Sequence, residues 1–477
     1  MRSRPSPKPT PPLLRGLPLV GSLPAFWKDP VAVCRRGYET LGPVFTVDLG
    51  IQKAAVLIGP EHQGFFFQQT DRCLSMREAY RFVGPLFQED IMFLADEKEH
   101  QEQRAIFFPA FQGKRLHGYV RAMVREVEAW ADTLGDEGEL EVVEAFRELT
   151  MYVAARALLG DGFRERLGPR FGVLFKDLIA GVEYVLPPNL PLPRFRRRDR
   201  AKAGLHELMR GILAERRAHP ERYDDFCQTL VEARYSDGRP LADKLISNLI
   251  LGLTWSGYET TSGSMGWVLV LLLQHPEILA RVRAEQEAVL GEGGGLSLES
   301  LGRMRCLESV LRESERLRPV VSVLIRNVTE ETEIAGYRIP KGWRLLVCPS
   351  VAHRLPEVFR DPERFDPDRF APERAEKLPP FSLIGFGGAH HRCVGINFAS
   401  AEMSVIALTL LRRYDLELLT PAPETQTEPG TLRGPKPPCV VRYRRRTEER
   451  SRSERPAVAV PGSAEDEPAG GGRCPFH

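Results

Sequence analysis

The sequence predicts a mainly α-helical protein with small β-sheets, an α+β fold arranged as a single large domain. Apolar residues recur at helical spacing over much of the 477 residues, whereas runs rich in β-branched residues are short and few. The length allows two or three domains, but no linker interrupts the middle of the chain and no internal repeat is visible. These observations favour one domain with irregular ends.

The predicted elements follow in chain order. Two short strands that bracket a turn predict a hairpin, at 44–50 and 54–58. Four segments with apolar residues at helical spacing predict helices, at 119–134, 142–159, 201–219 and 241–274. Four later runs predict strands, at 320–327, 333–339, 344–348 and 439–443. Pro240 suits the first position of the last helix, and Pro276 ends that helix.

The two ends of the chain differ from the rest in composition. Residues 1–16 are rich in proline and basic side chains and predict a flexible arm. Residues 447–477 are rich in Glu, Arg, Ser, Pro and Gly, so we expect a disordered tail. The folded catalytic domain is therefore expected at 17–446. No apolar run near the N-terminus is long enough to span a bilayer, and we expect no transmembrane anchor.

The charge balance and the cysteines limit the possible partners and location. Lys and Arg number 66 and Asp and Glu number 64, so the overall charge gives no reason to expect a nucleic-acid partner. The eight cysteines are scattered without framework spacing. This usage is typical of free thiols in a reducing compartment, and we expect a cytoplasmic protein.

A glycine-rich loop delivers one cysteine to the start of a predicted helix. Gly387, Gly388 and Gly395 surround Cys393, and the helix begins near Ile396. Glycine permits backbone conformations in which N–H groups turn toward the sulfur, and the helix directs its positive end the same way. Such a loop favours a thiolate, which is a strong ligand for haem iron. A structural cysteine and a zinc site are the alternatives, although no CxxC pair is present to supply further zinc ligands.

The predicted helix 241–274 carries a polar insert between apolar flanks. The insert contains Glu259, Gly257 and several hydroxyl side chains. A buried helix carries such groups only with a partner or a purpose, because an unpartnered polar group is costly to bury. Gly257 lets another group approach the backbone, and threonine hydroxyls can bond the preceding turn and distort the helix. The insert predicts a groove for oxygen and water, and the alternative is a solvent-facing polar stripe.

The cysteine loop resembles the haem-ligand loop of the cytochrome P-450 monooxygenases. Phe386, His391, Cys393 and Gly395 match the family pattern, and Ala389 stands where the family usually has Gly. The resemblance implies the P-450 fold, with a long central helix over a haem b cofactor. It also implies that Cys393 binds the haem iron and that Phe386 and Gly395 belong to the cofactor-binding loop.

The polar insert is similar to the oxygen-binding helix of the same family. Gly257, Glu259, Thr260 and Thr261 fit the pattern, and Ser256 replaces the usual Ala or Gly. The resemblance implies that Glu259 and Thr260 are the catalytic residues and that they organise the path of protons.

A third segment suggests a structural triad. Glu313 and Arg316 are spaced to meet on one helical face. In the family such a pair joins an Arg from a Pro-x-Arg-Phe segment, and Arg369 matches that position, with Arg364 as the rival assignment. Guanidinium groups that share one carboxylate would pin the core beneath the haem loop. The implied role is structural.

Haem carries two propionate carboxylates, so cationic donors must converge near its edge. The resemblance places His100, Arg104, Arg326 and His391 at the positions of such contacts. His100 and Arg104 lie one helical turn apart.

An aromatic, irregular stretch is expected to line the substrate pocket. Its candidates are Tyr80, Phe82 and Phe87, which we expect to join Val321 and Val323 around an apolar cavity. In this stretch the chain is most similar to the sterol 14-alpha-demethylase-like branch of the family.

Glu259 occupies a position where that branch normally has His, so the substrate is predicted only as a sterol, a terpenoid or a fatty acyl compound. The resemblance implies insertion of one oxygen atom from O₂ into a C–H bond, with electrons from a separate ferredoxin or flavodoxin. A sterol 14-alpha-demethylase and a peroxide-driven hydroxylase are alternatives within enzymes. A non-catalytic haem-thiolate sensor is the alternative from another class.

Overall fold

The computed structural model describes residues 8–446 apart from 51, 88–90, 161, 184–189, 292–293, 373, 375–376 and 428–431. Within these residues the protein is mainly helical with small sheets, which confirms the predicted fold class. The tail predicted to be disordered, 447–477, lies outside the described residues.

The helices account for most of the described chain. They are α1 (Leu23–Lys28), α2 (Pro30–Leu41), α3 (Pro60–Gln68), α4 (Met76–Ala79), α5 (Gly84–Phe87), α6 (Glu97–Ala110), α7 (Gly113–Asp132), α8 (Val142–Leu159), α9 (Gly162–Ile179), α10 (Pro193–Ala218), α11 (Phe226–Glu232), α12 (Asp243–Gln274), α13 (Pro276–Leu290), α14 (Leu298–Leu301), α15 (Arg305–Leu317), α16 (Pro349–Ala352) and α17 (Ile396–Arg413). Short 3₁₀ turns lie at Arg81–Val83, Pro220–Arg222, Pro367–Phe370 and Ala389–His391.

The strands form three sheets within the described residues. They are β1 (Val44–Asp48), β2 (Lys53–Leu57), β3 (Leu74–Ser75), β4 (Glu137–Glu141), β5 (Leu324–Val328), β6 (Thr332–Ile334), β7 (Tyr337–Ile339), β8 (Arg344–Val347), β9 (Tyr414–Leu418) and β10 (Val440–Arg445). The largest sheet has the order β1-β2-β8-β5-β3, in which β2 and β8 are parallel and the other pairs antiparallel. The smaller sheets are β4-β10-β9 and the hairpin β6-β7.

The segment 333–339 is a hairpin, and the prediction of one continuous strand there was wrong. Ala335 and Gly336 have φ values of 49° and 81°, so both occupy the left-handed region. Two such residues form the tight turn that suits the twist of a hairpin, and Ile334 pairs with Tyr337 across it.

The long helix α12 lies in the middle of the core. It packs against α8 on one side and α17 on another, and most of its side chains are buried. The prediction that it begins at Pro240 was wrong, because Pro240 pairs with Arg234 in an isolated β-bridge. The extended backbone of that bridge holds Pro240 outside the helix, which begins at Asp243.

The N-terminal segment is ordered where the structure describes it. Leu14 donates its N–H to the Thr46 carbonyl at 2.8 Å, and the Thr46 N–H returns to Pro12 at 2.8 Å. Leu14 is buried in the core cluster beside β1. Backbone pairing with β1 therefore joins residues 12–14 of the predicted arm to the sheet, and residues 1–7 lie outside the described part.

In the described residues, no single helix has the length and apolar composition to cross a membrane. The pair α12 and α13 meets that test only when joined, and the two helices meet at a bend of 107°.

Candidate functional site

A cavity of about 1500 Å³ lies between the polar insert of α12 and the cysteine loop. This volume exceeds the roughly 300–1,000 Å³ of a typical site for one small molecule, so the cavity can hold two ligands side by side. Apolar side chains supply most of its wall. They include Leu249, Leu253 and Trp255 on α12, Met92 and Phe93 on the segment before α6, and Leu324 on β5.

The loop before α17 presents Cys393 to this cavity. The Cys393 N–H donates to the Phe386 carbonyl at 2.8 Å and closes the loop. Gly387 has a φ of 75°, and a Cβ there would lie 2.9 Å from the His391 carbonyl oxygen, so glycine is required. Ala389 has a φ of 50°, which is costly for a residue with a side chain. The loop therefore keeps its shape at the position where the usual glycine is replaced.

The surroundings of Cys393 act on the ionisation of its thiol in opposite directions. Solvent reaches the sulfur through the cavity, yet protein surrounds it on its other sides, and this burial raises the pKa of the thiol. The Gly395 N–H and the cations of Arg104 and Arg392 act in the opposite direction without outweighing burial. A coordinated metal cation deprotonates a ligating thiol.

The four predicted propionate contacts converge at one edge of the cavity, and all of them line it. His100 and His391 stack with ring centroids 4.4 Å apart. Arg104 donates to the Arg392 carbonyl at 3.0 Å, and Arg326 is buried with its Nε 3.1 Å from the Thr70 hydroxyl. Burial and the neighbouring His391 lower the pKa of His100 to about 4, so His100 is neutral near pH 7.

A residue that sequence reasoning missed completes this edge. Asp71 lies 2.5 Å from the Nε2 of His391. The other ring nitrogen of His391, Nδ1, is buried and has no hydrogen-bond partner among the described residues. Burial of a polar atom without a hydrogen-bond partner costs free energy, so we expect a ligand in the cavity to supply a partner for Nδ1.

These residues fit a haem b. Cys393 offers sulfur to an iron, while Arg104, Arg326 and His391 offer donors to carboxylates at one edge. The unpartnered Nδ1 of His391 is the specific feature that such a carboxylate would satisfy.

The polar insert lines the cavity on the α12 side, through Ser256, Gly257, Glu259, Thr260 and Thr261. A Cβ added to Gly257 would meet open space, so the backbone is bare there. The Thr260 hydroxyl donates to the Ser256 carbonyl at 2.5 Å. Helix α12 stays continuous through the insert, which shows that the hydroxyls are accommodated without a break.

Glu259 is mostly buried beside this groove. Burial raises the pKa of its carboxyl, and the charge of Arg147 opposes this effect. A buried carboxyl with a raised pKa holds its proton to a higher pH than an exposed carboxyl does, which suits a group that delivers protons.

The predicted structural triad is present beneath the loop. Arg316 makes two bonds to Glu313, from Nε at 2.7 Å and from an Nη at 2.8 Å. The Nε of Arg369 lies 3.1 and 3.2 Å from the same two oxygens. Arg364, the rival assignment, contributes only its carbonyl oxygen, which accepts from Arg316 at 3.0 Å.

Four of the five predicted substrate residues line the cavity, namely Tyr80, Phe82, Val321 and Val323. Phe87 does not, because it is fully buried one layer behind, with its ring 5.5 Å from that of Trp255. Burial lowers the pKa of Arg326, and Tyr80 opposes this by raising it. Tyr80 therefore faces the edge where the predicted propionate contacts lie. Trp255, which sequence reasoning did not select, takes the place expected for Phe87.

Two further residues support the loop and were missed. The buried Nε2 of His353 accepts the Ile384 N–H at 2.9 Å. Burial raises the pKa of Glu315 to about 7, and the N–H groups of Gly385 and Phe386 act against that rise. Both contacts join segments that are distant in sequence, so no local sequence pattern predicts them.

Comparison with known proteins is consistent with this geometry. A family model described as Cytochrome P450 matches residues 11–441. A sterol 14-demethylase from Arabidopsis thaliana is 35% identical over 447 residues, which cover 91% of this chain and 91% of that protein. A sterol 14alpha-demethylase from Mycolicibacterium vanbaalenii is 34% identical over 434 residues, which cover 89% and 96%.

Among solved structures, the retinoic acid-bound cyanobacterial CYP120A1 matches with a TM-score of 0.83 and 28% sequence identity. The match covers 92% of this chain and 100% of that chain. The chain therefore belongs to the cytochrome P450 family, and it is a haem b monooxygenase that receives electrons from separate redox proteins.

Proposed function

We propose that this cytochrome P450 oxidises a C–H bond of a rigid isoprenoid-derived molecule, a sterol or a terpenoid of similar size. The observation that carries the proposal is the cavity of about 1500 Å³, which extends from Cys393 past the polar insert into an apolar chamber. Relatives named sterol 14-demethylases and a structure with bound retinoic acid support this substrate class over a fatty acyl chain.

Cys393 and the propionate contacts hold the cofactor in this proposal. The thiolate of Cys393 binds the iron, and haem supplies the activation of oxygen that side chains cannot perform. Arg104, Arg326 and His391 orient the propionates, with His100 stacked on His391. The Glu313 triad keeps the supporting segments in place and takes no part in the reaction.

Glu259 and Thr260 act on protons in this proposal. Glu259 retains a proton more readily than an exposed carboxylate, because burial raises its pKa. The Thr260 hydroxyl, anchored on Ser256, faces the cavity and can receive and pass that proton. The bare backbone at Gly257 leaves room beside it for oxygen and water.

We also propose an electron donor and a cellular compartment for this protein. A ferredoxin or a flavodoxin is the proposed donor, and the cytoplasm is the proposed compartment, as the scattered cysteines predict.

The test begins with titration of the holoprotein with three ligands: a sterol, retinoic acid, and a fatty acid with the same carbon number as retinoic acid. We expect the sterol or retinoic acid to displace water from the ferric iron at lower concentration than the fatty acid. With O₂ and reduced ferredoxin, mass spectrometry should then find one added oxygen in the tighter ligand. Tighter binding by the fatty acid would contradict the substrate class, and product formed only with hydrogen peroxide would favour the peroxide-driven hydroxylase.

Sterol 14-demethylation is the second candidate. It is favoured by the relatives of that name, which are 31–35% identical to this chain. The same turnover experiment with a 14-methyl sterol decides, because demethylation removes the methyl carbon whereas simple hydroxylation leaves the carbon count unchanged.

A further inference from the structure

The turn after α3 contacts two buried side chains at the edge of the cavity, those of Arg326 and His391. The hydroxyl of Thr70 accepts a hydrogen bond from the Nε of Arg326 at 3.1 Å. The carboxylate of the next residue, Asp71, lies 2.5 Å from the Nε2 of His391. Two adjacent residues of one turn thus hold side chains from β5 and from the cysteine loop.

His391 has little freedom to turn in this arrangement. Its side chain is 3% exposed, and its ring is stacked on His100 with an angle of 23° between the planes. Asp71 holds Nε2, so Nδ1 is the one ring nitrogen of His391 that has no partner in the described structure.

The backbone at Asp71 is itself unusual. Its φ is 70°, in the left-handed region, where a residue with a side chain is uncommon and Asp and Asn are the best tolerated. The turn is closed by the Asp71 N–H, which donates to the Leu74 carbonyl at 2.7 Å. A backbone outlier held by its surroundings at a functional site is a reason to look for a role.

A metal ion is the competing explanation for this cluster. Ligand atoms of Asp71, His100 and His391 all lie within 4.8 Å of one another. Two ligands bound about 2 Å from a common tetrahedral ion would be roughly 3.3 Å apart. The 2.5 Å contact between Asp71 and His391 is too short for an ion to bridge them and is a direct hydrogen bond.

We propose that Asp71 is a positioning residue, which fixes the imidazole of His391 so that Nδ1 faces a haem propionate. The inference rests on the proposed role of His391 as a propionate contact. It assigns Asp71 a part in the retention of haem, in the way that partners of metal-binding histidines fix the ring of the ligand. Asp71 itself touches neither the iron nor the substrate.

The test compares the rates at which holoproteins lose haem to an excess of apomyoglobin. Asp71→Asn keeps the size of the side chain and tolerates the same backbone, but it removes the charge that holds His391. We expect haem loss to become about tenfold faster or more, the scale seen when a histidine ligand loses its supporting partner. Asp361→Asn is the matched control, because Asp361 also has a positive φ of 48° but is exposed, and its rate should not change.

The same measurement in a His391→Ala background separates the two roles. If Asp71 acts through His391, Asp71→Asn has no further effect there, because the residue it positions is gone. An equal acceleration in both backgrounds would overturn the proposal and assign Asp71 to the turn alone. If His391→Ala alone leaves haem loss unchanged, the propionate role of His391 fails, which is a distinguishable result.

A second measurement covers the case in which His391→Ala holds no haem. The propionate bending modes in the resonance Raman spectrum report the hydrogen bonds of the propionates directly. We expect these modes to shift between the wild-type and Asp71→Asn holoproteins. Unchanged modes in Asp71→Asn would contradict the proposal.

Discussion

The Nε of Arg369 lies 3.1 and 3.2 Å from the two carboxylate oxygens of Glu313, and both side chains are buried. Arg316 forks onto the same carboxylate, so two guanidinium groups share one acceptor. Removal of the acid leaves two buried cations without their partner, which is far more costly than the loss of a surface ion pair.

Glu313→Gln should therefore lower the free energy of unfolding by about 3–5 kcal/mol and reduce the haem content of the purified protein. Urea unfolding and the ratio of haem to protein measure both effects. Asp368→Asn is the matched control, because it breaks the exposed pair with Arg281 beside the triad and should cost less than about 1 kcal/mol. A Glu313→Gln protein with full stability and full haem content would refute the scaffold role.

The choice between the two candidate arginines can be tested separately. Arg369→Ala should destabilise the fold strongly, because it removes a buried partner of Glu313. Arg364→Ala should be nearly neutral, because the side chain is exposed and only the backbone carbonyl of Arg364 takes part. Melting temperatures of the two variants check this, and equal losses would show that the Arg364 side chain also belongs to the triad.

The sequence predicted those parts of the site in which the chemistry is concentrated in a short segment. The cysteine loop, the polar insert of α12 and the pair Glu313–Arg316 each lie within a few residues, so spacing alone identifies them. Asp71 was missed because its partner His391 lies 320 positions away. Only tertiary packing brings the two together.

The errors in secondary structure and in side-chain direction also arise because tertiary contacts are not visible in a local sequence pattern. Strand β4 (Glu137–Glu141) is mostly acidic and was not predicted. It exists because it pairs with the basic strand β10, where Arg442 lies 3.2 Å from Glu139. Phe87 was placed in the pocket because its segment was predicted to be irregular, and such a segment gives no sign of which way an aromatic side chain faces; in the structure Phe87 ends helix α5. Packing against Trp255 settles its direction.

Thr260→Ala should leave haem binding intact but waste reducing equivalents as peroxide. Without the hydroxyl anchored on Ser256, protons no longer reach the oxygen site in an ordered way. The ratio of product formed to electrons consumed should fall clearly, because a positioned proton-transfer group contributes roughly 10²–10⁴-fold to the rate of its step. Thr254→Ala is the control, because that hydroxyl bonds the Ile250 carbonyl, is fully buried and is absent from the cavity lining. Unchanged coupling in Thr260→Ala would show that the groove has another role.

Glu259 should make stability depend on pH in a way that Gln does not. Burial raises the pKa of its carboxyl in the folded protein. The folded state therefore loses stability relative to the unfolded state as the pH rises from the ordinary carboxyl pKa, about 4.3, through the raised value. Glu259→Gln escapes this loss, so its unfolding free energy relative to wild type should rise as the pH rises above the ordinary carboxyl pKa, about 4.3, and level off above the raised value. Urea unfolding at several pH values measures the difference, and one that is independent of pH would contradict the raised pKa.

Substitution of Phe82 should change mainly ligand binding, whereas substitution of Phe87 should change mainly the free energy of unfolding. Phe82→Ala enlarges the cavity and should weaken binding of the preferred ligand with a small effect on unfolding. Phe87→Ala empties a buried position behind Trp255 and should cost about 3–5 kcal/mol of stability. Ligand titration and urea unfolding of both variants give the comparison, and a reversed pattern would return Phe87 to the pocket.

Cys393 is the residue proposed to bind the haem iron, and every other role in the site follows from this assignment. The direct measurement is the absorption spectrum of the reduced holoprotein with carbon monoxide, recorded for wild type and for Cys393→His. A thiolate donates more electron density to the iron than an imidazole, so the wild-type Soret band should lie far to the red of that of a globin. Cys393→His should move the band to the globin position. A wild-type adduct that already absorbs like a histidine-ligated globin would contradict the assignment.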